Sequence, residues 1–150
     1  MWAEHQGGFA LDIPDDWEAL LDPRPDTAMV VVAPEIVRFR PNLVVTVGPS
    51  APPDDPAEWQ RAAAEGLSEK LNDFHLIDAE PYGNGFRQLA AYVREKRALT
   101  LEQWAWQWTR DGSDTLDVTM SATVPTLAYD VCADVMRTVV ESWTTVEEAT

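Results

Sequence analysis

Hydrophobic and polar residues alternate with a period of two over residues 99–124, which predicts two long β-strands. An Asp111-Gly112 pair interrupts the alternation. Such a pair is typical of a two-residue hairpin turn, because both of its residues tolerate a positive φ. The stretch therefore predicts a β-hairpin, and we expect the rest of the chain to pack around it.

The length of the hairpin loop predicts which side chains share a face. With a two-residue loop, Trp106 faces Asp117 and Trp104 faces Thr119 across the hairpin. Aliphatic residues then collect on one face of the hairpin. The other face combines Thr, Asp and Ser residues with a stripe of three tryptophans: Trp104, Trp106 and Trp108. On such a mixed face we expect at least one indole to be solvent-accessible, and Trp108 to be the most exposed because it lies nearest the turn.

Two segments have helical rather than strand periodicity. The first covers residues 55–72 and begins with Asp55, a good N-cap, followed by Pro56 at the first helical position. The second begins at Pro125 and carries two adjacent apolar rows, which together make a broad stripe that must pack on a sheet. The rows are Leu127, Val131, Val135 and Val139, then Ala128, Cys132, Met136 and Val140. We expect Val131, Val135 and Val139 to be buried, with Cys132 and Met136 at the margin.

Shorter apolar runs predict the remaining strands, and residues 22–26 are expected to form a loop because they contain two prolines and two aspartates. An edge piece is expected at residues 38–40. The predicted order is β-β-β-α-β-β-β-β-α. This order favours a single α+β domain over residues 1–150, with an antiparallel sheet of six to seven strands flanked by helices. The runs that predict strands are residues 8–13, 27–33, 43–47, 74–79 and 86–96.

Charge and composition exclude several classes of function. The chain has 26 acidic and 11 basic residues, and its net charge of −15 argues against binding to nucleic acid or to anionic membranes. No apolar run approaches the roughly 20 residues of a membrane span, and the first nine residues lack the pattern expected of a secretory signal. The single cysteine, Cys132, cannot form an intrachain disulfide and is expected in the core. These features predict a cytoplasmic location without membrane insertion.

No motif in the sequence assigns a catalytic, cofactor-binding or metal-binding residue. The acidic residues near His5 lack the spacing of a cation-binding loop, and His75 has no partner in a recognisable catalytic motif. One alternative is an enzyme or small-ligand protein with an apolar pocket between sheet and helix. Its polar groups would come from Gln88, Tyr92, Gln103 and Gln107.

Seven tryptophans in 150 residues are the unusual feature of the composition. Trp17, Trp59 and Trp143 are expected in the core. The stripe on the hairpin allows two interpretations, a layer packed under a helix or an anchor for a protein partner, since tryptophan is enriched at binding hot spots. The candidate partner-binding residues are Trp104, Trp106, Trp108, Gln103 and Gln107.

Three features of the sequence form a recognisable set. They are an F-x-L-x-I-P-x-x-W motif over residues 9–17, a P-N-L-x-V motif over residues 41–45, and a C-terminal helix ending in Ser142-Trp143. Together they resemble motifs of the PsbP-like fold family. That family includes PsbP, the Ran-binding Mog protein, LpqN-type lipoproteins and Eag-type secretion chaperones. The resemblance implies an α/β/α sandwich without a common active site. It also implies an adaptor or chaperone that binds a protein partner. We expect the protein to be a monomer or a homodimer.

Overall fold

A computed structural model describes residues 1–51, 54–110 and 114–146. These residues form ten β-strands and two α-helices. The strands are β1 (Trp2–His5), β2 (Phe9–Asp12), β3 (Glu18–Arg24), β4 (Thr27–Val32), β5 (Asn42–Pro49), β6 (Asn72–Tyr82), β7 (Gly85–Arg94), β8 (Arg97–Arg110), β9 (Asp114–Pro125) and β10 (Thr144–Thr145). The helices are α1 (Pro56–Lys70) and α2 (Tyr129–Glu141), and a short 3-10 turn (Thr126–Ala128) precedes α2.

The strands form two antiparallel sheets. The large sheet has seven strands in the order β3-β4-β5-β9-β8-β7-β6, and the small one has three in the order β1-β2-β10. The predicted α+β class and the large antiparallel sheet are confirmed. The segment 22–26 is not simply a loop, because β3 continues to Arg24. Residues 38–40 form no strand, and Phe39 makes only an isolated bridge to Ile36.

The sequence pattern does not predict β3. Among the described strands, β3 lies at the edge of the large sheet and pairs only with β4. Most of its residues are exposed, so it lacks the alternation by which half-buried strands are recognised. It also contains Pro23, which an edge strand tolerates because one side needs no hydrogen-bond donor.

The two helices cover opposite faces of the large sheet. Asp55 caps α1 as predicted, accepting a hydrogen bond of 3.0 Å from the backbone N–H of Ala57. On the face that α1 covers, Trp59 packs edge-on against Phe86 of β7. On the other face, α2 and the small sheet enclose the main core, whose largest fully buried side chains include Phe9, Leu11, Met29, Leu43, Trp104, Met120 and Met136. The α/β/α layering is therefore confirmed.

The register of the β8–β9 hairpin differs by one residue from the prediction. Trp104 pairs with Met120 and Trp106 with Val118. Arg110 pairs with Asp114, so three residues rather than two separate the paired ends. Because side chains alternate between faces, this shift exchanges the two faces of β9 relative to β8. The expected turn at Asp111-Gly112 lies outside the described residues.

The consequence is that the tryptophan stripe lies on the aliphatic face, not on a mixed polar one. Trp104 is completely buried, while Trp106 and Trp108 are half-buried and pack against the main core. Burial of this stripe together with Val118 and Met120 favours the observed register, since the other register would turn the aliphatic side chains of β9 away from the core.

The orientation of α2 also differs from the prediction. Val139 is buried as expected, but Val131 is 71% exposed, and Cys132 and Met136 lie in the core rather than at its margin. Because two adjacent rows of this helix are apolar, the sequence does not determine which of them faces the sheet. The rotation observed lets Arg137, which follows Met136, reach the buried carboxylate of Glu102 at 3.6 Å. Within the described residues, no helix has the length and apolar character needed to cross a membrane.

Candidate functional site

A cluster of stacked and edge-on aromatic rings lies where the end of α2 meets β8. Trp143 stacks on Phe9 with ring centroids 4.5 Å apart. The same indole meets Trp106 and Trp108 edge-on, each with a centroid separation of 5.3 Å. Tyr82 extends the cluster, with its ring centroid 6.1 Å from that of Trp106. The stacked contact with Phe9 and the near-perpendicular contacts with Trp106 and Trp108 are both favoured geometries of aromatic pairs, and they hold the Trp143 ring in a defined orientation.

Beside this cluster lies a cleft of about 360 Å³, which we call the aromatic cleft. It falls within the range of roughly 300–1,000 Å³ that is usual for ligand-binding clefts. Its walls come from the β6–β7 turn, from β8 and from the end of α2. The lining residues are Tyr82, Gly83, Asn84, Trp106, Gln107, Val140, Glu141 and Trp143.

The β6–β7 turn is fixed to β8 by backbone and side-chain contacts. Gly83 has a φ of 54°, a conformation that favours glycine. The side chain of Asn84 accepts a hydrogen bond of 2.8 Å from the backbone N–H of Gln107 and donates one of 3.1 Å to its carbonyl oxygen. At Gly85, an added Cβ would lie 1.9 Å from the carbonyl oxygen of Ala105, so only glycine allows this close approach. The wall of the cleft that carries Tyr82 is therefore held in place.

The charge in the cleft is negative. Glu141 is exposed, and it makes no ion pair among the residues the structure describes. Arg137, one helical turn earlier, is directed instead to Glu102 and Asp134. Burial raises the pKa of the Tyr82 phenol, and the nearby Glu141 carboxylate raises it further. The cleft thus combines aromatic surfaces with one carboxylate, Glu141, that is not paired with the arginine one turn earlier on its helix.

The structure separates the five predicted partner-binding residues onto two faces of β8. Trp104, Trp106 and Trp108 face α2, and of these Trp106 lines the aromatic cleft. Gln103 lies on the opposite face, and the side chain of Gln107 also points there. Trp108 lies next to the cleft through its contact with Trp143, and Arg110 lies over its ring at 5.7 Å.

The glutamines form a hydrogen-bonded row beneath α1. Gln60 donates to Gln88 at 2.7 Å, Gln88 donates to Gln103 at 2.7 Å, and Gln103 donates to Ser121 at 3.1 Å. Gln107 makes a separate bond of 2.8 Å to the hydroxyl of Ser50. These bonds occupy the amides that a ligand pocket between sheet and helix would use.

A groove does lie between α1 and the β6–β7 end of the sheet, but its volume is only about 120 Å³. Of the four residues proposed for the alternative ligand pocket, it contains none. Tyr92 packs instead in a second hydrophobic cluster with Leu99 and Leu101. The geometry therefore favours the aromatic cleft over this groove as the candidate site.

Sequence reasoning missed Tyr82, Glu141 and Trp143 as partners of Trp106. The turn at residues 81–85 was predictable, but nothing in its spacing indicates that it meets the end of the last helix. Trp143 was expected simply in the core, and it is half-buried because one side of its ring faces the cleft. Among the described residues, no group of three or more His, Cys, Asp or Glu side chains could hold a metal ion.

Comparison with known proteins identifies the fold. No protein-family model matches the sequence, and no curated protein matches it. Solved structures do match over nearly the whole chain. LpqN of Mycobacterium tuberculosis, described as involved in cell envelope biogenesis, aligns with a TM-score of 0.67 and 18% identity, over 98% of this chain and 90% of LpqN.

Two further structures have the same architecture. PsbP of the cyanobacterium Synechocystis aligns with a TM-score of 0.60 and 16% identity, over 97% of this chain and 91% of that one. The Ran-binding protein Mog1p of Saccharomyces cerevisiae aligns with a TM-score of 0.57 and 16% identity, over 98% and 95% of the two chains. Sequence identities this low establish the architecture alone. The chain has the PsbP-like fold.

Proposed function

We propose that this protein is a non-catalytic adaptor that binds a protein partner at the aromatic cleft. The observation that carries the proposal is the ring cluster around Trp106 and Trp143, which is half-buried beside an open cleft. Tryptophan and tyrosine supply large contact areas at low entropic cost, and they dominate binding hot spots.

Rigidity of the site supports the same proposal. Trp143 contacts Trp106 and Trp108 edge-on, and Asn84 fixes the adjoining turn through two hydrogen bonds to Gln107. A partner docking on such a preorganised surface loses little of its binding energy to the ordering of side chains. The Ran-binding activity stated for Mog1p is a precedent for protein binding on this fold, although it is an analogy of fold only.

The test compares the partners retained by three immobilised proteins from a native lysate. They are the wild type, the cleft variant Tyr82→Ala/Glu141→Ala, and the control Leu127→Ala, which removes an apolar side chain that is 89% exposed and does not line the cleft. Circular dichroism and thermal unfolding first establish that all three are folded.

We expect quantitative mass spectrometry to find proteins that the wild type and Leu127→Ala retain and that the cleft variant loses. Retention of the same proteins by the cleft variant would overturn the assignment of the cleft. Recovery of no protein above background by the wild type would overturn the adaptor function itself.

A further inference from the structure

We propose that the aromatic cleft accepts a cationic side chain, lysine or arginine, of the protein partner. This inference rests on the proposed protein-binding function and specifies the chemistry that the partner must present. Three aromatic rings and one carboxylate line the cleft, and none of the described residues that line it carries a positive charge. That combination is the one by which aromatic cages recognise cations.

The ring geometry suits a cation. The centroid of Trp106 lies 6.1 Å from that of Tyr82 and 5.3 Å from that of Trp143. A cation is attracted to an aromatic face within about 6 Å of its centroid. A cationic group seated against Trp106 would therefore be close to two further rings, and Arg110 over Trp108 already shows one such contact beside the cleft.

The electrostatics of the last helical turn favour a positive ligand. Glu141 is the final residue of α2, where the helix dipole adds partial negative charge to that of the carboxylate. Arg137 would be the natural partner of Glu141 at a spacing of four residues, but it reaches Glu102 at 3.6 Å and Asp134 at 3.6 Å. The Glu141 carboxylate is thus left for a ligand.

An apolar side chain fits the cleft less well. It would remove water from the Glu141 carboxylate without giving it a partner, and the burial of an unpaired charge is unfavourable. A cationic side chain instead places its methylene groups on the rings and its charge beside the carboxylate. The net charge of −15 further favours a basic partner, because it attracts one at long range.

The test is an NMR titration that follows the indole N–H resonances of Trp106 and Trp143. The probes are Nα-acetyl-lysine methylamide and Nα-acetyl-arginine methylamide, and the control probe is the uncharged Nα-acetyl-norleucine methylamide. We expect both charged probes to shift the two resonances in a saturable way, with weaker binding at high salt. The norleucine probe is expected to bind more weakly.

Variants assign the binding to the cleft. Tyr82→Leu removes one ring and Glu141→Gln removes the charge, and each should weaken binding of the lysine probe about two- to fivefold. Asp130→Asn changes the net charge equally at the exposed, opposite end of α2, so it should leave binding unchanged.

Three results would overturn the inference. The first is the absence of saturable shifts with either charged probe. The second is a Glu141→Gln effect no larger than that of Asp130→Asn, and the third is norleucine binding as strong as that of lysine. If such a result occurred while the cleft variant still lost partners from lysate, the adaptor function would stand and only the cationic chemistry would be wrong.

Discussion

The Nε of Arg87 on β7 lies 2.6 Å from Oε2 of Glu102 on β8, and the carboxylate is almost completely buried. Burial lowers the pKa of Arg87, but the hydrogen bond and charge of Glu102, together with the nearby Glu80 and Tyr129, raise it overall. Arg137 of α2 approaches the same Glu102 carboxylate at 3.6 Å. The contact between Arg137 and Glu102 therefore connects α2 to the sheet. It helps to orient this helix, whose end forms one wall of the aromatic cleft.

Loss of Arg87 should destabilise the fold more than loss of the Glu102 charge. Arg87→Ala leaves the buried Glu102 with only Arg137, and we expect it to lower the free energy of unfolding by about 3–5 kcal/mol. Glu102→Gln should cost less, because Arg87 keeps the carboxylates of Asp78 and Glu80 at 3.4 and 3.3 Å. Urea unfolding measures both changes. A loss below about 1 kcal/mol for Arg87→Ala, as for an exposed pair, would contradict this role.

The glutamine row beneath α1 predicts a non-additive pair of substitutions. Gln103→Leu leaves the buried amide of Gln88 without its acceptor, which should cost about 1–3 kcal/mol. The double variant Gln88→Leu/Gln103→Leu removes both groups, so it should be more stable than the sum of the two single changes predicts. A double-mutant cycle by urea unfolding checks this coupling. Strict additivity would show that the two amides do not depend on each other.

Two glycines should respond to alanine in opposite ways, because one lies where β7 closely approaches β8 and the other lies in open space on α1. Gly85→Ala places a Cβ 1.9 Å from the carbonyl oxygen of Ala105, so the two strands must separate, at a cost of at least about 1–3 kcal/mol. Gly66→Ala in α1 meets nothing within 4 Å and should stabilise the protein by about 1 kcal/mol. Thermal unfolding compares the two. Equal tolerance at both positions would contradict the structure of the β6–β7 turn.

The rotation of α2 can be tested with one buried and one exposed position. Met136 is fully buried, so Met136→Ala should lower stability by about 2–5 kcal/mol. Val131 is 71% exposed, so Val131→Asp should change stability by no more than about 0.5 kcal/mol. Calorimetry or urea unfolding measures both. A large loss for Val131→Asp would instead support burial of the first apolar row.

Local patterns predicted most of the elements, since amphipathic periodicity and capping depend on neighbouring residues. The N-cap at Asp55 and the α+β class were found in this way, but the predicted order lacked β1, β3 and β10. The hairpin register was wrong because it depends on a single residue of loop length, and one residue exchanges the two faces. The same small difference decides whether Trp104 lies in the core or on a polar face.

The candidate site was only partly predictable, for a topological reason. Trp106 was recognised as unusual, but Tyr82 lies at the end of β6, and Glu141 and Trp143 lie at the end of α2. These two segments meet β8 only in the folded protein. Gln103 was chosen for its polarity, and it is instead satisfied by a buried bond to Gln88. Long-range contacts of this kind leave no signal in the spacing of one sequence.

Site-specific crosslinking tests the central claim, that the aromatic cleft is where a protein partner docks. Tyr82 is replaced by the photoreactive p-benzoylphenylalanine, which keeps an aromatic ring on the wall of the cleft, and Leu127 is replaced in a parallel sample as an exposed control. After irradiation in a native lysate, we expect a covalent adduct at position 82 that maps to a lysine- or arginine-containing segment of another protein, and no such adduct at position 127. Adducts at position 127 with none at position 82 would contradict the account.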